Sequence, residues 1–251
     1  MSDAPLILSL ETATLGGSVW LGRGSCHLAA RNGDPQVSQS NSLLSDINAC
    51  LKDAGLALDD VDFFACASGP GSFTGLRIGI ATLKGLAASL NRPCVGIPTL
   101  AAVAHSAGPS MATVALLPAG RGEVFTQMFS VSSVSGDVIV NPIDTAAHLS
   151  PQKLIDRYGM LPQLMWAGSG AHLQRETIES AAWERGIVFG PNSPESPSAN
   201  GTPSWNLAAN EENLAAHVAA LALQSYSKGM LQRPEALHAI YVRPSDAELT
   251  K

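Results

Sequence analysis

The residues with most chemical potential lie in one run, Ser68-Gly69-Pro70-Gly71-Ser72-Phe73-Thr74-Gly75-Leu76-Arg77-Ile78-Gly79. Glycines permit a tight backbone path into a helix, and the unpaired N–H groups of a helix start can hold an anion. The nucleotide motifs built on that principle do not fit. A GxxxxGK[ST] loop fails because Gly75 is followed by Leu76 and Arg77. Gly69, Gly71 and Gly75 make only a loose GxGxxxG. No Asp or Glu occurs from Gly69 through Leu100, where a dinucleotide fold wants an acid about 20 residues on. Ser72 is not a GxSxG nucleophile, since Pro70 stands where the first glycine should be. It reads instead as a helix N-cap. The histidines, at 27, 105, 148, 172, 217 and 238, include no pair spaced by three or four, so neither HxxxH nor HExxH is present. Cys26, Cys50, Cys66 and Cys94 are far apart and read as reduced thiols, not as a disulfide framework or a zinc site. No metal and no cofactor are expected. Asp59, Asp60 and Asp62 cluster just before a strand and read as a solvated edge.

The elements that must position these residues follow from pattern. Leu6–Leu10 is a buried strand. Ser18–Leu21 and Cys26–Arg31 complete a meander, and a helix from the Ser40-Asn41-Ser42 caps runs to about Ala54. Val61–Ala67 is a strand, and the glycine-rich loop then opens a helix to about Leu90. The order β-β-β-α-β-α recurs more loosely in Thr113–Leu117, Val124–Val131, Asp137–Val140, a helix capped by Ser150, Gln163–Ala167 and a helix over Ala171–Trp183. A last helix is expected over Leu207–Lys228. Two subdomains are expected, 1–107 and 108–251. The second contains a Pro/Ser-rich loop at about 190–206, where Asn200-Gly201-Thr202 is an accidental sequon.

Composition bounds the function. The 251 residues are 45% hydrophobic and 14% charged, against about 25% charged in an ordinary soluble domain. A net charge of -6 argues against independent nucleic-acid binding, which uses a basic face. No stretch of about 20 apolar residues suits a membrane span, and Met1–Pro5 does not read as a secretory leader. A cytoplasmic protein is expected.

Along the second helix Gly75, Gly79, Thr82, Leu86 and Ser89 recur at alternating spacings of four and three, laying small residues on one face. Gly79 and Gly85 then call for close packing, within the chain or against another subunit, because glycine inside an exposed helix costs about 1 kcal/mol relative to alanine. Leu44, Ile47 and Leu51 share a face of the first helix.

The run Ser68–Ala87 resembles the hallmark segment of the TsaB (YeaZ) family. Ile7–Thr14, Val95–Ala102, Gly120–Phe125 and Ala239–Arg243 resemble further family segments in the same order. The resemblance implies an actin-like (ASKHA, RNase H-like) duplicated α/β fold. It also implies a non-catalytic partner of a TsaD-like transferase, which forms threonylcarbamoyladenosine at position 37 of tRNAs reading ANN codons. A TsaE-like ATPase would join the complex, tRNA would be held mainly by the partners, and the chain alone could pair with itself. The implied interface takes Leu44, Ile47 and Leu51 from the first helix. It takes Gly71, Ser72, Phe73, Thr74, Gly75, Arg77, Ile78, Gly79, Thr82 and Leu86 from the loop and second helix. On that reading Gly79→Arg blocks pairing and spares the fold. Arg77, Lys84 and Arg121 read as exposed surface charges or, alternatively, as groups that meet acids on a partner or tRNA phosphate. Glu11, Thr12 and Arg121 would mark a vestigial nucleotide cleft. Three departures weaken an active cleft: Glu11 stands where the family often has Asp, Pro118-Ala119-Gly120 lacks a loop acid, and Asn41-Ser42 replaces a His-Ser pair. The alternative is a stand-alone ASKHA ATPase or small-molecule kinase that touches phosphate and adenosine through Glu11–Gly17 and Gly168-Ser169-Gly170.

Overall fold

The computed structural model describes residues 4–191 and 202–242, which group into two compact units. The first takes the chain up to Ala102 and also Glu212–Tyr241, and the second takes Val103–Glu211. The last helix, expected from the sequence to lie with the second half, therefore belongs to the first unit.

In the first unit, strands β1 (Leu6–Glu11), β2 (Ser18–Arg23) and β3 (Cys26–Asn32) form the antiparallel meander. Helix α1 (Gln39–Asp53) then crosses to β4 (Phe63–Gly69), and α2 (Phe73–Ser89) crosses to β5 (Cys94–Pro98). The sheet order is β3-β2-β1-β4-β5, with β1, β4 and β5 parallel. All of β1 is buried, so its alternating side chains serve two layers. Leu6, Leu8 and Leu10 pack with Ile47, Leu51, Ile80 and Leu83 from α1 and α2. On the other face, Ser9 Oγ donates to the Ala215 carbonyl at 2.7 Å. A fully buried leucine such as Leu83 contributes about 2 kcal/mol.

In the second unit, β6 (Ser110–Gly120), β7 (Glu123–Val134) and β8 (Asp137–Pro142) repeat the meander, and β9 (Ala147–Leu149) pairs with β7. After α3 (Thr99–Ser106), which opens before this unit, come α4 (Pro151–Tyr158), β10 (Gln163–Ala167), α5 (Ser169–Leu173) and α6 (Arg175–Glu184). Strands β11 (Val188–Pro191) and β12 (Ser204–Leu207) complete the order β11-β12-β10-β6-β7-β8. The meander flanked by parallel strands thus occurs in both units, the actin-like duplication.

Three expectations change. The helix expected over Ala171–Trp183 is two helices meeting at Gln174, whose side chain donates to the Gly122 carbonyl at 2.7 Å. The ends of the expected 190–206 loop are strands, with Leu207 in parallel register with Trp166, and residues 192–201, including Asn200, lie outside the described residues. The last helix, α7, therefore starts at Leu214 and runs to Ser227, where Asn213 Oδ1 accepts the Ala216 N–H at 3.2 Å. Among the described residues no helix is long and apolar enough to cross a membrane.

Candidate functional site

The glycine-rich loop and α2 carry the site. Ser72 caps the helix as expected, with Oγ accepting the Gly75 N–H at 3.2 Å. Behind the helix lies the turn between β1 and β2. The Ala13 carbonyl accepts the Ser72 N–H at 2.8 Å. A Cβ on Gly71 would stand 2.5 Å from the same carbonyl oxygen. A Cβ on Gly75 would overlap the Thr12 carbonyl, and one on Gly79 would overlap Thr12 Oγ1. Gly75 and Gly79 are therefore buried against their own chain. They are not surface for a partner, and the expectation that Gly79→Arg spares the fold is overturned.

The other edge of α2 is open. Thr74, Arg77, Ala81, Gly85 and Ala88 are exposed, and nothing lies within 4 Å of a Cβ built on Gly85. The sequence pattern did not single out Ala81 and Ala88, and it called for a packing neighbour at Gly85. The successive steps of four, four and three from Arg77 through Ala81 and Gly85 to Ala88 are the available signal. Phe73, Ile78, Thr82 and Leu86 are half-buried at the margin. The Arg77 guanidinium lies 3.8 Å from the centre of the Phe73 ring, and the Tyr241 ring stands 5.3 Å from it on centroids. Tyr241 was legible only as part of a C-terminal signature, whose Arg243 lies outside the described residues. From α1, Leu44 is 57% exposed, whereas Ile47 and Leu51 sit in the core and are withdrawn from the interface set. Lys84 is engaged within the chain, its Nζ donating to the Leu237 carbonyl at 3.1 Å.

Each expected nucleotide-cleft residue has its own setting within its unit. Glu11 is buried, with Oε1 accepting the Thr14 N–H at 2.8 Å and Oε2 accepting the Thr14 hydroxyl at 2.5 Å. Burial raises its pKa, opposed by the bonds from Thr14 and Ala13. Each carboxylate oxygen is thus already held by the turn. Thr12 faces α2. Arg121 is exposed in the second unit, at a left-handed φ of 53° between β6 and β7. In the same unit, a Cβ on Gly168 would stand 2.5 Å from the Leu116 carbonyl oxygen, and one on Gly170 would stand 2.7 Å from the Leu116 carbonyl carbon. Close packing on β6 accounts for both glycines.

Other chemical groups resolve into structure. Asp62 accepts the Leu6 N–H at 2.7 Å and Asp60 accepts the Ala57 N–H at 2.8 Å. Burial pushes the thiols of Cys50 and Cys94 up to about 11, and that of Cys66 higher still. Among the described residues no three His, Cys, Asp or Glu side chains are grouped to hold a metal ion.

Comparison with known proteins assigns this geometry to a family. A family model described as "TsaD: tRNA N6-adenosine threonylcarbamoyltransferase" matches residues 36–226. The tRNA threonylcarbamoyladenosine biosynthesis protein TsaB of Escherichia coli K12 is 34% identical over 122 residues, 47% of this chain and 52% of that protein. YeaZ from Pseudomonas aeruginosa superposes with a TM-score of 0.69 at 25% identity, covering 94% of this chain and 99% of that one.

The chain belongs to the TsaB/YeaZ family.

The TsaB of Haemophilus influenzae is 38% identical over 103 residues, 40% of this chain and 42% of that protein. The matched stretches thus span about half the length of these curated TsaB proteins. In this TsaB-family chain the distinctive surface is the outer edge of α2, and the distinctive buried group is the Glu11 carboxylate behind it.

Proposed function

We propose that this chain acts in formation of threonylcarbamoyladenosine at position 37 of tRNAs reading ANN codons, as the non-catalytic partner of a TsaD-like transferase. The observation that carries the reading is the outer edge of α2. Its exposed small residues let another helix approach closely, and Arg77, Phe73 and Tyr241 supply the aromatic and guanidinium groups in which binding energy concentrates. Leu44 extends the surface from α1. The hydrogen bonds already made to Glu11 from Thr14 favour a scaffold over a phosphate-handling site. The chemistry then belongs to the TsaD-like subunit, and a TsaE-like ATPase joins the larger assembly in the cytoplasm. With a net charge of -6, phosphate contacts fall mainly to the partners. When the chain is alone, the same edge serves self-association.

The test is co-purification of the chain with the TsaD-like subunit from its own host, as wild type and as Ala81→Arg. The expected result is a wild-type heterodimer that the variant fails to form while keeping the wild-type circular dichroism spectrum. Equal co-elution of Ala81→Arg overturns the docking face, and micromolar binding of ATP with magnesium by the chain alone overturns the scaffold role.

A further inference from the structure

The β1–β2 turn touches the beginnings of both helices that form the proposed docking face. Toward α2, the Ala13 carbonyl holds the Ser72 N–H, and Thr12 fills the space left by Gly75 and Gly79. Toward α1, the Thr14 carbonyl accepts a hydrogen bond from Gln39 Nε2 at 3.0 Å, and Gln39 is the first residue of that helix. The turn ends in Gly16 and Gly17, both at positive φ, and Gly17 is bonded through its carbonyl to the Gly33 N–H at 3.0 Å. Its tether is internal: the Thr14 hydroxyl and N–H both bond to the buried Glu11 carboxylate.

We propose that Thr14 is the positioning residue of the docking face, because its hydroxyl ties the turn to Glu11 and so sets the heads of α1 and α2 relative to each other. The proposal rests on the docking reading above and adds to it which buried contact keeps that face in register. The chemistry makes the contact hard to replace. A buried carboxylate depends on its donors, and losing one leaves an acceptor that must find water or a proton. Burial already raises the Glu11 pKa, so the hydroxyl is compensating for desolvation. A small cleft beside it is lined by Glu11, Gly16, Gly17, Gln39, Ser42 and Asp46. Water reaching Glu11 through that cleft would enter beside Gln39, the residue that ties the turn to α1. Thr14 touches no partner in this scheme and acts only through the turn.

Two measurements on the full chain test this. The first is titration calorimetry with the TsaD-like subunit. Thr14→Val is expected to lose about tenfold or more in affinity, about 1.4 kcal/mol, while Thr14→Ser, which restores the hydroxyl, stays within about threefold of wild type. The second needs no partner: hydrogen exchange at the Ser72 amide of the isolated chain. This amide is expected to exchange faster in Thr14→Val and at the wild-type rate in Thr14→Ser. A wild-type chain that does not bind the subunit refutes the docking reading, and the exchange result then decides the positioning role by itself. Should Thr14→Val fail to fold, Gln39→Ala takes its place, since it removes the hydrogen bond from α1 to the Thr14 carbonyl and leaves the Thr14–Glu11 bonds in place. A several-fold loss of affinity in that variant supports the proposal. Wild-type affinity in Gln39→Ala, or unchanged Ser72 exchange in a folded Thr14→Val, overturns it.

Discussion

Gly79 and Gly85 stand on one helix and meet opposite surroundings. At Gly79 a single added carbon would overlap the Thr12 hydroxyl, so the residue is there because the β1–β2 turn leaves no room. At Gly85 a Cβ would meet nothing within 4 Å. The inner edge of α2 is thus explained by its own chain, and the outer edge is not. A stripe of small residues does not mark an interface until its two edges are separated by what lies opposite each.

The comparison breaks most visibly at Gly79. Gly79→Arg would place a charged side chain into the packed space held by Thr12, and the expected loss exceeds about 4 kcal/mol. Soluble yield and a thermal melt by circular dichroism check it, and a native-like melt would show that the inner edge is not tight. Ala81→Arg is the matching change outside. Its melt is expected to stay within about 0.5 kcal/mol of wild type. Its affinity for the TsaD-like subunit is expected to fall about 100-fold, about 2.7 kcal/mol. Next comes Gly85→Ala, which relieves the helix-propensity cost in open space and should stabilise the isolated chain by up to about 1 kcal/mol in urea titrations. A destabilised Gly85→Ala would reveal an inner constraint at the outer edge.

The smallest effect is a pH dependence at the root of the turn. The native Glu11 pKa lies above the ordinary value of 4.5 because of burial, so the folded chain holds a proton that the unfolded chain releases. That contribution to stability is complete below about pH 4.5 and is lost as the pH rises through the raised native value. Glu11→Gln removes it, so the stability of the wild type relative to this variant should decline over that window. A difference that stays flat with pH would place the Glu11 charge in a better-compensated setting than its burial implies.

Local chemistry is legible in the amino-acid sequence alone. Ser72 as a cap, the meander Leu6–Arg31 and the strand–loop–helix around Gly71 all depend on near neighbours along the chain. The orientation of α2 is not legible there, because spacing defines a face and only the turn opposite it decides which edge is buried. The same gap separates Leu44, left exposed, from Ile47 and Leu51, which sink into the core. Glu11 stands out as an acid at a strand end, but its role follows from Thr14 three residues on, a spacing that fits many turns. Placing α7 requires the contact of Ser9 with Ala215, which no window of sequence contains.

The return of Glu212–Tyr241 to the first unit also has a temporal side. During synthesis the five-stranded sheet must wait through the whole of Val103–Glu211 before its second face can be covered. Until then Ser9, Ser18 and Phe63 await Ala215 and Tyr226, their partners on α7. The edge at Cys94 likewise lacks Gln232, which bridges it in the finished chain. A ribosome halted at Glu211 would hold a complete stretch of the second unit and an unfinished first one. The proposed docking face would gain its Tyr241 ring, which stands against Phe73, only after that.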